Sequence, residues 1–93
     1  MERDIIKAIL KVYHARGAYA VKIHGEYYQT ITVDILACYR GHFIGLEVKD
    51  GYKRQVTPMQ RHVLTEINLA GGISRVAHNV EEAVEILDEV DNG

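Results

Sequence analysis

Several residue types are scarce in this 93-residue chain, and each scarcity excludes a class of protein. The one cysteine, Cys38, cannot form an internal disulfide, and no cysteine or histidine cluster has zinc-site spacing. One proline and eight glycines, with 47% hydrophobic residues, exclude a collagen-like or disordered chain. No apolar run approaches the ~18–20 residues of a membrane span. The N-terminal Glu2, Arg3 and Asp4 are unlike a signal peptide. We therefore expect a globular cytoplasmic protein with no membrane association.

The length of the chain limits its domain organisation. About 93 residues can bury one hydrophobic core but not two. No internal repeat, linker or low-complexity segment divides the sequence. We predict a single domain over residues 1–93.

An excess of positive charge is also missing, since the net charge is −2 with neutral histidines. Taken alone, this negative net charge argues against a nucleic-acid partner. The acids are concentrated, however: residues 81–93 hold six acids and no bases, which leaves residues 1–80 with a net charge of +4. Two interpretations remain open. One is a solvated acidic helix with ordinary surface bases, and the other is a basic working face with the acidic helix on the far side.

Hydrophobic spacing and turn residues predict the element order αβββαβα. Helical periodicity predicts a first helix over residues 2–16, ended by Gly17. Alternation and turn residues predict strands over 19–24, 31–39, 42–49 and 73–77. A second helix begins at Thr57, and a third runs from Asn79 to about Val90. The pattern indicates an α+β domain.

The starts of the last two helices have capping signatures. Thr57 is suited to the N-cap, Pro58 to the first helical position, and Gln60 to the return bond of a capping box. Asn79 and Glu82 have the same spacing. The spacing also predicts a buried stripe on the second helix, formed by Met59, Val63, Ile67 and Ala70.

The register of the central hairpin brings three charged residues together. If Arg40 and Gly41 form a two-residue turn, Tyr39 pairs with His42, and Asp34 lies opposite Glu47. Lys49 follows Glu47 by two residues and shares its face. The opposite face is wholly apolar and must be buried; it carries Val33, Ile35, Ala37, Ile44, Leu46 and Val48.

Opposed carboxylates destabilise a sheet unless something offsets their repulsion. A divalent cation bridging Asp34 and Glu47 would do so, and oxygen ligands favour Mg²⁺ or Mn²⁺. The backbone carbonyl of Val48 could supply a further hard ligand. The alternative is an ordinary charge cluster that Lys49 neutralises. With a metal, this set of residues is suited to phosphodiester hydrolysis, in which Lys49 would orient water or stabilise the transition state.

Asp34 followed by Glu47-Val48-Lys49 resembles the PD-(D/E)XK nuclease motif. More narrowly, nearly the whole chain resembles the stand-alone VRR-NUC domains, the virus-type replication-repair nucleases. The similar stretches are Val21-Lys22-Ile23-His24-Gly25, Tyr28-Gln29, Asp34-Ile35-Leu36-Ala37-Cys38, Gly45-Leu46-Glu47-Val48-Lys49, Thr57-Pro58-Met59-Gln60 and Ala70-Gly71-Gly72. The resemblance implies a restriction-endonuclease-like fold, with a mixed four-stranded sheet flanked by helices.

The resemblance also implies roles for individual residues. Asp34 and Glu47 match the metal ligands, Lys49 the motif lysine, and Glu2 the acid on the first helix that completes the metal site. Gln60 matches a glutamine that reaches the active site, although capping competes for the same side chain. Lys22 matches a recurrent basic position. Val33 stands where the motif normally has proline, which affects the local backbone path.

The bases near the predicted site are candidates for phosphate contacts. Lys53 and Arg54 in the loop after the hairpin are the best of them, followed by Arg61 and Arg40. Each has the alternative of a solvated surface base. We expect Lys22, Lys53, Arg54 and Arg61 to contact DNA.

The resemblance implies a metal-dependent, structure-selective DNA endonuclease that needs Mg²⁺, with Mn²⁺ as a substitute, and no organic cofactor. Its substrate would be branched DNA such as Holliday junctions. It would act as a homodimer, in a phage-infected or prophage-bearing bacterial cell. The rival from another class is a non-catalytic module that keeps the fold and binds nucleic acid or a protein.

Overall fold

The computed structural model of this chain describes residues 1–24, 33–52 and 55–93. Within them, the helices are α1 (Glu2–Ala15), α2 (Pro58–Leu69) and α3 (Val80–Asn92). The strands are β1 (Tyr19–Lys22), β2 (Ile35–Tyr39), β3 (His42–Val48) and β4 (Ile73–Ala77). This order confirms the predicted αβββαβα arrangement. None of the described helices is long and apolar enough to cross a membrane.

The four strands form one mixed sheet in the order β1-β2-β3-β4. β1, β2 and β3 are antiparallel neighbours, whereas β4 runs parallel to β3. Arg40 and Gly41 both have positive φ, 50° and 81°, as a type I′ hairpin turn requires. The ladder from Tyr39–His42 to Ile35–Leu46 confirms the predicted register.

Helices cover both faces of the sheet. α1 and α3 pack together on one face, and the core there contains Ile9 and Tyr13 of α1, Ile86 and Leu87 of α3, and Ile44 and Leu46 of β3. The Tyr13 hydroxyl donates a hydrogen bond to the Ala83 carbonyl at 2.6 Å, which joins the two helices. Gly45 alternates with Ile44 and Leu46, so it faces the other side, where α2 lies.

α2 approaches β3 closely at Gly45. A Cβ atom built on Gly45 would lie 2.7 Å from Cδ1 of Ile67 and 3.3 Å from Cγ2 of Val33. No side chain larger than hydrogen fits there without movement of those neighbours. The absence of a side chain at residue 45 therefore sets the depth at which α2 packs.

The predicted buried stripe on α2 is wrong in part. Leu64 is the buried residue of this helix, whereas Val63 and Ile67 are half-buried. Met59 is 53% exposed, and Ala70 is exposed as well. Among the described elements, α2 is the only helix on its face, so no neighbouring helix covers the flank that carries Met59 and Ala70.

Candidate functional site

The site lies where the chain just before β2 separates from the end of β3. The N–H of Asp34 donates to the carbonyl of Leu46 at 3.0 Å, although Leu46 is already the register partner of Ile35. Asp34 and Ile35 thus both lie opposite Leu46, as two residues do opposite one in a β-bulge. The Asp34 carboxylate accepts a 2.8 Å hydrogen bond from the N–H of Val48. The side chain of Asp34 therefore takes the place of a ladder bond at the end of β3.

The bulge corrects one prediction about the apolar face. All six residues assigned to that face are buried. Val33, however, lies beside Gly45 on the α2 side of the sheet, not with Ile35 on the α1 side. Alternation fails at Asp34 because the extra residue shifts the chain by one position. The predicted ladder pair of Asp34 with Glu47 is not formed, since the ladder ends at Ile35–Leu46.

The carboxylates of Asp34 and Glu47 nevertheless meet. Glu47 is only 3% exposed. Its burial, followed by its hydrogen bond with Asp34 and by the charge of Asp34, raises the pKa of Glu47 to about 8. The positive charge of Lys49 acts in the opposite direction. Two acidic side chains therefore meet, Glu47 buried and Asp34 half-buried. The single positive charge of Lys49 beside them does not balance both carboxylates when both are ionised.

Lys49 lies beside this pair, as its spacing from Glu47 predicted. Its Nζ atom is 3.9 Å from Oε2 of Glu47, and the residue is 9% exposed. The N–H of Lys49 donates to the Ala77 carbonyl of β4 at 3.0 Å, which fixes the backbone of the strand end. The ammonium group is therefore held at the carboxylates by a short, well-anchored segment.

Gln60 serves the helix and the site at the same time. Its side-chain oxygen accepts from the N–H of Thr57 at 2.9 Å, and the Thr57 hydroxyl accepts from the N–H of Gln60 at 3.1 Å. This is the predicted capping box. The side-chain nitrogen of Gln60 then donates to Oε2 of Glu47 at 2.9 Å. The expected competition between the two roles is wrong, because the oxygen caps while the nitrogen reaches Glu47.

Glu2 lies near the site, but its carboxylate contacts the chain just after β3. Its Oε2 accepts from the N–H of Asp50 at 3.3 Å, and its charge is among the causes that raise the pKa of Glu47. Within residues 1–24, 33–52 and 55–93, no three histidine, cysteine, aspartate or glutamate side chains lie close enough together to hold a metal ion. The side-chain donors placed together are those of Asp34 and Glu47.

The basic residues divide between the two faces. Lys22 is in register with Ile35, so it lies on the α1 face, where it borders a groove with Arg3 and Lys7. Arg61 follows Gln60 in the first turn of α2 and lines a cleft with Val76 and His78. Arg40 pairs with Asp91 of α3 at 2.8 Å. Lys53 and Arg54 lie outside the described residues.

The predicted second capping box is only half formed. The Asn79 side chain accepts from the N–H of Glu82 at 2.8 Å. The carboxylate of Glu82, however, accepts from the backbone N–H and from Nδ1 of His78, each at 2.8 Å. It also accepts from the Tyr52 hydroxyl. Sequence reasoning missed this cluster because Glu82 at the third helical position indicated only a cap; the i,i+4 spacing of His78 and Glu82 was the available signal.

The candidate metal ligands are the two carboxylates of Asp34 and Glu47, which are hard and anionic. The ammonium group of Lys49 and the amide of Gln60 lie beside them. Carboxylate oxygens are the ligands that Mg²⁺ and Mn²⁺ prefer, and Mg²⁺ commonly takes only one or two carboxylates with water and substrate completing its shell. The Val48 N–H is turned toward Asp34, and a strand residue projects its N–H and C=O from the same edge. The arrangement therefore fits a small divalent cation better than an uncompensated pair of acids.

The fold matches that of a solved structure described as a VRR_NUC domain. The match has a TM-score of 0.77, covers 94% of both chains and has 19% sequence identity. No protein-family model matches the sequence, and no curated protein does. The match confirms the α+β fold with a mixed four-stranded sheet flanked by helices. It also confirms the resemblance to VRR-NUC domains at the level of the fold.

Proposed function

We propose that this chain is a divalent-metal-dependent nuclease that hydrolyses phosphodiester bonds in DNA. The observation that carries the proposal is the convergence of Asp34, Glu47, Lys49 and Gln60 on one end of the sheet. The fold of the chain suggests a nuclease, and these four residues are the ones a PD-(D/E)XK nuclease would use. Their contacts with one another support the assignment independently of the fold.

The cation would be Mg²⁺, with Mn²⁺ as a substitute. Asp34, Glu47 and the Val48 carbonyl would hold it, with Glu2 as a further ligand once its hydrogen bond to Asp50 is released. When bound, such an ion neutralises charge on the phosphate and acts as a Lewis acid in hydrolysis. The raised pKa of Glu47 supports this role, since a nearby dication removes the cost of ionising both carboxyl groups.

Lys49 and Gln60 would contribute different parts of the chemistry. In hydrolysis, water adds to phosphorus, one P–O ester bond breaks, and negative charge develops on the phosphoryl oxygens. The buried ammonium group of Lys49 is positioned to stabilise that charge. Gln60 would act as a positioning residue, because its amide holds the Glu47 carboxylate in one orientation.

We propose branched DNA, such as a Holliday junction, as the substrate. Lys22, Lys53, Arg54 and Arg61 would supply sequence-independent phosphate contacts. The test is cleavage of a panel of labelled DNAs, namely four-way junction, flap, nicked duplex and intact duplex, in Mg²⁺, Mn²⁺ or EDTA. We expect metal-dependent cleavage that is fastest on the four-way junction.

The panel has two informative contrary outcomes. Metal-dependent cleavage of flaps or nicked duplex, but not of junctions, would keep the nuclease and overturn the substrate. Tight binding of junctions without cleavage in either metal would favour the rival function, a non-catalytic binding module on the same fold.

We also propose that the protein acts as a homodimer, because two symmetric sites can cut two strands of a junction symmetrically. Tyr19, Cys38 and Phe43 form one cross-strand row and are all exposed, Tyr19 by 70% and Phe43 by 47%. Such an apolar row suits a subunit contact. Light scattering should give twice the chain mass of 10.5 kDa; a monomer at micromolar concentration would contradict this.

The proposed setting follows the resemblance. We place the protein in the cytoplasm of a phage-infected or prophage-bearing bacterial cell, as a single domain over residues 1–93 that needs no organic cofactor.

A further inference from the structure

A cleft adjoins the carboxylate pair on the β4 side. It has a volume of about 230 Å³ and is lined by Tyr52, Gln55, Val56, Arg61, Val76 and His78. Val76 is the ladder partner of Glu47, so the cleft begins one strand spacing, ~4.8 Å, from the strand that carries the carboxylate. Arg61 also follows Gln60 directly in α2. The cleft is thus a neighbour of the proposed site and shares none of its carboxylates.

His78 has a defined tautomer in this cleft. The Glu82 carboxylate, with its pKa held low chiefly by the Tyr52 hydroxyl, accepts hydrogen bonds only. Nδ1 of His78, 2.8 Å from that carboxylate, is therefore the protonated nitrogen. Among the described residues, Nε2 has no hydrogen-bond partner. When the ring carries a proton on both nitrogens, Nε2 can donate a hydrogen bond to an anion.

Tyr52 holds the imidazole from another side. Its ring stacks on His78 with centroids 4.1 Å apart and an interplanar angle of 24°. Its hydroxyl donates to the same Glu82 carboxylate. Even with these contacts, 69% of Tyr52 remains exposed. The cleft therefore combines a fixed imidazole with an accessible aromatic surface.

Arg61 brings a permanent positive charge to the cleft. Within the part of the chain that the structure describes, its guanidinium forms no ion pair, whereas the arginines Arg16, Arg40 and Arg75 all pair with acids of α3. A guanidinium and an imidazole facing one cleft, with an aromatic ring beside them, match the charge and the base of a nucleotide.

We propose that this cleft is a nucleotide subsite that binds the phosphodiester next to the scissile one. Arg61 and His78 bind that phosphate, Glu82 positions His78, and the exposed part of Tyr52 stacks on the attached base. The identity of the scissile phosphate rests on the proposed function, but binding in the cleft does not require metal or cleavage. The subsite fixes the path of the strand across β4, so it determines which bond reaches Asp34 and Glu47.

The test is fluorescence anisotropy of a labelled oligothymidylate in EDTA, titrated with salt. Arg61→Ala and His78→Ala should each weaken binding about fivefold to tenfold, and Arg61→Ala should lower the slope of log K against log salt by about 0.7. The double variant should lose less than the product of the two single losses, because both side chains bind one phosphate. His62→Ala is the matched control, since His62 also has a glutamate four residues later but lies 66% exposed.

Two results would overturn the subsite. One is a His78→Ala protein that binds like His62→Ala, and the other is an Arg61→Ala protein with unchanged affinity and salt slope. Arg61→Ala keeps the test valid if His78→Ala does not fold, because Arg61 is exposed. A wild-type protein that never cuts DNA but shows the expected binding losses would overturn the nuclease and leave the subsite standing.

Discussion

At the residue scale, the amide of Gln60 has two neighbours that fix its orientation. The Thr57 N–H can only donate, so the side-chain oxygen of Gln60 must face it, and the side-chain nitrogen must face Glu47. Spacing predicted the capping partner Thr57, and the family resemblance implied that Gln60 also reaches the active site. It could not predict that both are satisfied at once, because that depends on where α2 lies relative to β3.

Thr57 and Gln60 should therefore separate stability from activity. Thr57→Ala removes one half of the capping box and should cost about 1 kcal/mol of the free energy of unfolding, with nuclease activity changed by less than about twofold. Gln60→Ala loses the cap and the Glu47 contact, and should lower kcat by about 10–100-fold as well. Urea unfolding and single-turnover cleavage measure the two effects. Equal losses of activity in both variants would contradict the assignment.

Glu47 should make the metal-free protein less stable as the pH rises. Its pKa is raised from the ordinary 4.5 to about 8, so between these values the folded state binds a proton that the unfolded chain has released. This stabilisation is complete below about pH 4.5 and is lost as the pH rises through 8. In EDTA, Tm should fall by several degrees from pH 5 to pH 9, since ~1 kcal/mol corresponds to ~4–8 °C.

Two comparisons isolate this effect. Glu47→Gln should remove most of the pH dependence between 5 and 9, because glutamine does not titrate. Mg²⁺ or Mn²⁺ should raise Tm more at pH 8 than at pH 5, where protons compete for the carboxylates. A wild-type Tm that is independent of pH in this range, or equal metal stabilisation at both values, would contradict the buried acid pair.

At the element scale, the sequence predicted the elements and the hairpin register better than the packing. The Arg40-Gly41 turn placed β2 against β3 correctly, because two-residue turns leave little freedom in register. The bulge at Asp34 was not predicted, since no turn residue marks it; it moved Val33 to the α2 side. The buried side of α2 was also predicted in part wrongly, because helical spacing does not show which flank a neighbour leaves open.

The contact between α2 and β3 gives a direct test of that packing. Gly45→Ala places a methyl group against Ile67 and Val33 and should destabilise the protein by about 1–3 kcal/mol. Ile67→Val removes the nearest methyl group, so Gly45→Ala should cost clearly less in that background. Urea unfolding of the four proteins gives the coupling. Strictly additive costs would show that α2 does not pack on Gly45 as described.

At the scale of the whole molecule, the acidic helix lies on the face opposite α2. Asp88, Glu89 and Asp91 pair with Arg16, Arg40 and Arg75. One interpretation of the composition placed the acidic helix on the far side, as observed. It did not anticipate that these ion pairs neutralise part of the net charge of +4 in residues 1–80. Charge counting along the chain could not predict this, because the pairs join residues far apart in sequence.

This charge distribution predicts which arginines matter for DNA. Arg40→Ala should change junction affinity by less than about twofold, because Arg40 pairs with Asp91 on the α3 side. Arg61→Ala should weaken it by the larger factor given above. Electrophoretic mobility shifts in EDTA compare the two. An equal or greater loss for Arg40→Ala would show that DNA contacts Arg40 despite its ion pair with Asp91, and would contradict this assignment.

The central claim is that the buried carboxylates and Lys49 form a metal-dependent nuclease site. The most direct test is single-turnover cleavage of a labelled four-way junction in Mn²⁺ by Glu47→Gln. Glu66→Gln is the matched control, because Glu66 is 60% exposed and is not part of the proposed site. We predict a loss of at least about a hundredfold for Glu47→Gln and a wild-type rate for Glu66→Gln. Cleavage by Glu47→Gln at the wild-type rate would contradict the account.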